Sequence, residues 1–473
     1  MGDSIAAAST SMDDAFSSSD AEQFAASLRG QLLRPGAAGY DGARRIWNAM
    51  IDRNPALIVR SAGAADVVRS VNFARYHGLP LSVRGGGHNV SGNAVCDGGL
   101  MIDLSPMKGI RVEPARSTAR AEAGCTWRDF DHETQAFGLA TTGGVIPATG
   151  IAGLTLGGGL GWLMRKHGLS CDNLTSLDMV TADGRLVTAS ATENPELFWA
   201  ARGGGGNFGV VTSFEYRVHP IGQVFGGMVA HSLERASDAL KFLREFAPSA
   251  PDNLGTMAAF VTGPDGIKLL AIFVCYSGPL AEGERVLQPL RAFGPPLADD
   301  IAAMPYIRLQ SLLEPGFPPG RQNFWKSSFL RELTDDAIDI LIDGFRKVPS
   351  PTSAVAIEQL GGAVSRVEDD ATAFAHRGAF FNLLIVGIWP DLADNRKHIE
   401  WVRGLWDAMQ PYSTGGVYVN YLGQNPDEGP DRVRAAYGKA KYERLLALKR
   451  KYDPDNVFRL NQNIDPASKE NRT

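Results

Sequence analysis

The chain has 473 residues, 44% hydrophobic and 21% charged, with 47 Lys plus Arg against 52 Asp plus Glu and a net charge of −5. That balance lacks the basic excess a nucleic-acid partner draws, and the apolar content is too high for a disordered chain. The length calls for about two or three domains with ample core.

Glycine is the outlier. Of 53 glycines, 24 fall within residues 85–209, with no Gly-X-Y period that would mean collagen. Glycine gathered in one region means backbone that turns sharply or approaches something closely. The four cysteines form no Cys-x-x-Cys pair, which leaves a disulfide framework or a zinc site without support and fits isolated thiols in a reducing compartment.

Taken in chain order, residues 1–20 are Ser/Ala/Asp-rich, without the basic start and apolar stretch of a signal peptide. We read them as a tail running into a helix over 21–33. From residue 56 the pattern is strand, helix (65–77), a Gly-Leu-Pro break and strand, the order of a βαβ unit. After the loop RGGGHNVSG comes the strand LMIDLS, then a hairpin over 111–124. Thr126 and Asp129 have capping-box spacing for a helix to residue 137, which Gly138 ends.

Residues 136–164 carry no charge, yet eight glycines over 138–159, with Gly161 and Pro147, argue against a membrane helix and for buried loop and turn. The strands LDMVTADG and RLVTAS follow, then a helix over 195–201, the turn GGGGNFG and the strand VVTSFEYRV. Residues 225–293 and 321–409 each read β-α-β-β-α, an internal pseudo-repeat predicting one antiparallel sheet with helices on one face. A Lys/Arg-rich helix over 432–452 and the tail DPDNVFRLNQNI end the chain and could fold back on the first domain.

Three glycine loops carry the candidate site. Gly204 to Gly209 satisfy G-x-G-x-x-G, but that fingerprint needs a strand before and a helix after, and here the order is reversed. Arg84-Gly85-Gly86-Gly87-His88 lies between strands, where consecutive backbone N–H groups can form an anion nest beside an imidazole. The apolar stretch 143–161 is too hydrophobic for a linker. Three such loops in one domain point to one large flat ligand. Strand alternation in VYVNYL would put Tyr418 and Asn420 on one face and Tyr421 on the other. A tyrosine base would need its pKa of about 10 lowered, and Lys326, Arg377 and Arg84 are the candidate suppliers of charge.

With LSVRGGGHNVSG, the 143–161 element, GGGGNFGVVT, YVNY and FRLNQNI in place, the chain resembles the FAD-linked oxidases of the vanillyl-alcohol-oxidase superfamily, in the berberine-bridge-enzyme-like branch. The likeness runs over residues 53–464, and GLTLGGGLGWLMRKHGLSCDN is most similar to bacterial members of the hydroxynicotine-oxidase type.

The resemblance implies an α+β fold. After a tail and helix (1–37) it has a two-part FAD-binding domain of the PCMH type, residues 38–220 with 418–473, and a substrate domain, 221–417, of antiparallel sheet covered by helices. It implies FAD bound through His88 by a single covalent bond, since Ile146 stands where bicovalent members carry a second, cysteinyl link. It implies further flavin contacts from Arg84, Gly85, Gly86, Gly87, Asn89 and Gly92; from Gly144, Val145, Ile146, Pro147, Gly150, Gly153, Gly158 and Gly161; from Gly209, Val210 and Val211; and from Asn420, Asn461 and Asn463.

Tyr421 is then the expected catalytic base, Glu358 a second candidate for it, and Tyr418 is expected to be the third catalytic residue. The expected reaction takes a hydride from a C–H bearing a hydroxyl or amine of a small molecule to the flavin, with dioxygen reduced to hydrogen peroxide. A dehydrogenase using another acceptor, an oxidative ring-closing enzyme and a non-catalytic flavin carrier are the alternatives. Trp325, Lys326, Gln359 and Asn382 are expected to line the substrate pocket, a mix that suits a polar aromatic and a glycoside equally. A cytoplasmic protein with no nucleic-acid or membrane partner is the expectation.

Overall fold

The computed structural model describes residues 16–423 and 428–468. The tail expected at the N-terminus lies largely outside them.

The 21–33 helix is corrected: the helix is Ser18–Ser27, capped by Ser17 and Asp20, and Gln31–Leu33 is a strand. It pairs antiparallel with Leu57–Arg60 at the edge of a four-stranded sheet. The sheet continues through Leu100–Asp103 to Leu81–Arg84, both joins parallel as a βαβ unit requires. Helix Ala64–Tyr76 makes the crossover and packs Val67, Val71 and Ala74 into the core.

A five-stranded antiparallel sheet stands beyond it, in the order Ile110–Glu113, Thr118–Glu122, Val210–Arg217, Leu174–Val180, Leu186–Ser190. The Thr126–Asp129 capping box forms as read, starting helix Trp127–Gln135, and Gly138 follows at φ +67°. From residue 139 on the uncharged stretch is mostly buried but not all loop, since Ile151–Leu156 is a short helix.

The expected C-terminal helix is two, Pro430–Tyr437 and Lys439–Tyr452, broken at Gly438, whose φ of +69° favours glycine. Leu445 and Leu446 join the same core as Leu57 and Phe198, so this segment does fold back on the first half.

The pseudo-repeat is visible in the topology. The large antiparallel sheet runs Gln223–Ser232, Lys268–Tyr276, Leu254–Thr262, Ala354–Gln359, Phe381–Trp389, Gln322–Leu330, with the short Ala298–Asp299 and Ala302–Pro305 strands on its first edge. Each half is ordered first strand, third, second, and the two second strands meet at the centre through Met257↔Glu358 and Ala259↔Ala356. Helices Ala236–Phe246, Leu280–Ala292, Asp335–Arg346 and Asn395–Met409 cover one face, burying Phe260, Ile272, Ile357 and Ile385. The opposite face looks onto a cavity. No helix of the described residues is long and apolar enough to cross a membrane, and all four cysteines are free and buried.

Candidate active site

A cavity of about 1030 Å³ lies between the glycine loops and the large sheet. The first loop leaves strand Leu81–Arg84 and turns at Gly87 (φ +65°) to present His88. Trp47 stacks on the imidazole, with ring centroids 4.3 Å apart and planes 16° apart, and its backbone N–H donates to the Gly87 carbonyl at 3.0 Å. Burial pushes the His88 pKa down to about 4, so the ring is neutral at pH 7. Its Nε2 is shielded from solvent and has no hydrogen-bond partner among the described residues.

The second loop crosses the first where Gly86 meets Gly150. A Cβ on either would run into the other's backbone, so the approach requires glycine. The third, residues 203–209, is held by Asn207, whose amide donates to the carbonyls of Gly204 (2.9 Å) and Gln462 (3.2 Å) while its Oδ1 accepts from Ile464 N–H (2.9 Å). Behind it Lys449, fully buried, donates to Asp453 (2.7 Å), the Asn207 carbonyl (2.9 Å) and the Phe458 carbonyl (2.9 Å). This buried pair fastens the C-terminal segment to the glycine turn.

On the sheet side, two of the expected catalytic groups meet. Tyr421 O–H donates to Glu358 Oε1 at 3.1 Å, and Asn382 Nδ2 donates to Glu358 Oε2 at 2.6 Å. The sheet register makes this possible, pairing Glu358 with Asn382 on the neighbouring strand. Burial raises the Glu358 pKa to about 7, against the two hydrogen bonds that lower it. Burial and the facing carboxylate push Tyr421 well above the usual phenol value.

Tyr418 Oη accepts from Asn420 Nδ2 (2.7 Å) and from the Gly159 N–H (2.9 Å), and its ring meets Tyr421 edge-on at 4.8 Å. The expected strand at VYVNYL is a correction: Val419–Tyr421 is a 3-10 turn, which brings Tyr418 and Tyr421 together instead of putting them on opposite faces. The three proposed suppliers of positive charge are corrected too. Lys326 pairs with Glu428 (2.7 Å), Arg377 with Asp172 (2.6 Å), and Arg84 donates to the Ala43 carbonyl (2.6 Å).

Gly85, Gly86, Gly87, His88, Asn89, Gly144, Val145, Ile146, Gly150, Gly153, Gly209, Val210, Val211, Asn420 and Asn461 all line the cavity, as do Tyr418, Tyr421 and Glu358. Arg84, Gly92, Pro147, Gly158, Gly161 and Asn463 stand behind its wall: Gly92 packs on Ile51, Gly158 on Phe374, and Gly161 on Gly143. Of the expected pocket residues only Trp325 lines the cavity. Lys326 lies over the Trp406 ring on the helix side, Gln359 bonds Thr256 and the Ala247 carbonyl, and Asn382 is committed to Glu358.

Sequence reasoning missed Trp47, which sits in no periodic pattern. It also missed Asn207 and the Lys449–Asp453 pair, whose i,i+4 spacing is hidden in a run of lysines and arginines.

The residues present fit FAD. The glycine loops leave room for a large flat group, their backbone can meet a diphosphate, and the unpartnered ring nitrogen of His88 is aimed at no other side chain. Residues 55–190 match the family described as FAD binding domain, and residues 417–465 the family described as berberine and berberine like. An FAD-linked oxidoreductase of Dictyostelium discoideum is 34% identical, with 94% of this chain and 96% of the relative covered. The (R)-6-hydroxynicotine oxidase of Paenarthrobacter nicotinovorans is also 34% identical, over 93% of this chain and 97% of the relative. The crystal structure of 6-hydroxy-D-nicotine oxidase from Arthrobacter nicotinovorans superposes with a TM-score of 0.86 at 30% identity, over 97% of this chain and 100% of that one.

Proposed function

The chain belongs to the berberine-bridge-enzyme-like branch of the FAD-linked oxidoreductases, and from that premise we propose that it is a covalent-flavin oxidase of a small-molecule alcohol or amine, with Glu358 as its base. The observation that carries this reading is the Tyr421–Glu358–Asn382 hydrogen-bond chain opening onto the cavity that His88 also lines. Bound FAD would supply the acceptor for the electron pair of the oxidised C–H group and the route by which dioxygen is reduced to hydrogen peroxide. Residues 38–220 with 418–473 would hold it, and 221–417 would hold the substrate.

His88 would carry the single covalent bond. Its imidazole is neutral, so a ring nitrogen keeps its lone pair, and Trp47 fixes the plane of the ring. Ile146, also on the cavity wall, has no thiol to offer for a second bond. The backbone N–H groups of the glycine loops would meet the diphosphate, since no Lys or Arg among the described residues lines the cavity.

The base is assigned to Glu358 over Tyr421 on proton bookkeeping. Tyr421 keeps its proton at pH 7 and donates it to Glu358, whereas Glu358 titrates near pH 7, where a general base works best. Glu358 takes the proton of the substrate's hydroxyl or amine. Asn382 and Tyr421 hold the carboxylate in place, and Tyr418, anchored by the Gly159 N–H, supports the Tyr421 ring.

His88→Ala tests the tether. Acid-precipitated wild-type protein should stay yellow and the variant should release its flavin to the supernatant; colour retained on the denatured variant overturns the assignment. Oxygen uptake with any substrate that bleaches the flavin separates an oxidase from a dehydrogenase.

A further inference from the structure

The sheet wall of the cavity says what kind of molecule it can hold. Alternation turns Ala258, Phe260, Ile357 and Ile385 into the helix-side core, and leaves Met257, Ala259, Phe273, Trp325, Leu384 and Val386 facing the cavity. On that face Glu358 is the one charged group among the described residues of the six long strands.

Besides Glu358, Thr262 at the end of strand Leu254–Thr262 is the one polar side chain that these strands bring to the cavity among the described residues. Lys326 is paired with Glu428, Gln359 bonds Thr256 and the Ala247 carbonyl, and Asn382 is held by Glu358. The charge is one-sided as well. The cavity wall carries two carboxylates, Glu358 within and Asp300 at the first edge of the sheet. It carries no Lys or Arg among the described residues, and His88 is neutral.

A sugar brings a hydroxyl on nearly every carbon, and against this wall most would lose water without gaining a partner. A carboxylate or phosphate on the substrate would meet no cationic side chain on this wall, and like charge at Glu358 and Asp300. A flat ring system gains at every contact, with Trp325 and Phe273 offering aromatic faces and the methionines filling irregular gaps.

We propose that the substrate of this site is a multi-ring, hydroxyl-poor alcohol or amine, neutral or cationic, which presents one oxidisable group to Glu358 and lays its apolar skeleton along the sheet; oligosaccharides and anionic compounds are refused. The proposal rests on the oxidoreductase reading above but is separable from it, because binding and flavin reduction are measured independently.

The test uses the purified flavoprotein under nitrogen with four probes: 1-(2-naphthyl)ethanol, 1-(2-naphthyl)ethylamine, the naphthylethanol carrying a ring carboxylate, and cellobiose. Binding is read by calorimetry and flavin reduction by bleaching. The neutral alcohol or the amine should bind at least ~100-fold more tightly than cellobiose or the carboxylate. Trp325→Ala should weaken that binding ~10-fold. Met228→Lys, at a half-buried position on the same wall, should admit the carboxylate ~10-fold better.

Equal or tighter binding of cellobiose or of the carboxylate by the wild-type protein overturns the substrate class, and bleaching by either would leave the oxidase reading standing. Aromatic probes that bind with the expected Trp325 and Met228 dependence support the class even if none bleaches the flavin. In that event it is the proposed base and reaction that fail.

Discussion

Glu358 combines a buried carboxyl, two hydrogen-bond donors and a pKa raised to about 7, and these decide how activity should follow pH. A base works as the carboxylate, so the rate should rise with pH through about 7 and fall as acid protonates it. Glu358→Gln keeps the hydrogen-bonding shape without the base and should lower kcat by about 10²–10⁴-fold. Its remaining rate should lose the limb near pH 7. Tyr421→Phe removes a donor that favours the charged form, so its limb should move to higher pH with a smaller loss, about 10-fold. Rapid-reaction flavin bleaching across pH 5–9 checks both. A limb that persists in Glu358→Gln would put the base elsewhere.

The glycine loops divide into two physical types that a count cannot separate. Gly86 and Gly150 are small because backbone crosses backbone, whereas Gly153 has nothing within 4 Å of where its Cβ would stand and opens onto the cavity. Gly86→Ala should therefore destabilise the chain itself, by about 1–3 kcal/mol as an overpacked site does. Gly153→Ala lies inside the short Ile151–Leu156 helix, where alanine is favoured by about 0.5–1 kcal/mol. It should keep or raise the melting temperature of flavin-free protein while lowering flavin content. A Gly153→Ala protein fully loaded with flavin would mean that the space beside this helix is not the cofactor's.

How much of this was legible varied by element, for reasons of range. The Thr126–Asp129 capping box and the repeated β-α-β-β-α order are local or periodic signals, and both are found in the structure. The strand expected at VYVNYL failed because two residues of alternation weigh little against the side-chain contacts that wind Val419–Tyr421 into a turn. The Trp47–His88 stack had no signal at all. It joins residues 41 apart in sequence through one backbone bond, Trp47 N–H to the Gly87 carbonyl. Motif resemblance pointed to His88 and Tyr421, and both line the cavity. The resemblance also offered Glu358, but its contacts with Tyr421 and Asn382 join segments far apart in sequence and had no local signal.

At the scale of the whole molecule, the two halves are joined by buried polar contacts, and one of them carries an uncompensated acid. Arg165 donates to the carbonyls of Ala250, Leu254 and Leu360, and Asn48 bridges the carbonyls of Val90 and Asn323. Asp131, on helix Trp127–Gln135, accepts from Gln310 Nε2 at 2.8 Å on helix Tyr306–Gln310. Its second oxygen has no partner among the described residues. Burial raises its pKa to about 7 from an ordinary 3.8.

The sign of the linkage follows. The folded chain holds a proton that the unfolded chain releases near pH 4, so this group's contribution is full below that value. It is lost progressively as pH rises to about 7, and is flat above. The gap of roughly three pKa units corresponds to about 4 kcal/mol. Glu358 adds a loss of the same sign, up to its own value near 7. Asp131→Asn keeps an oxygen for Gln310 and removes the ionisation. It should leave stability unchanged near pH 4 and raise it by about 2–4 kcal/mol at pH 8. Denaturant unfolding of wild type and variant at the two pH values measures this. Equal stability at pH 8 would mean that water or movement between the halves already solvates the carboxylate, and that the joint is looser than its buried contacts imply.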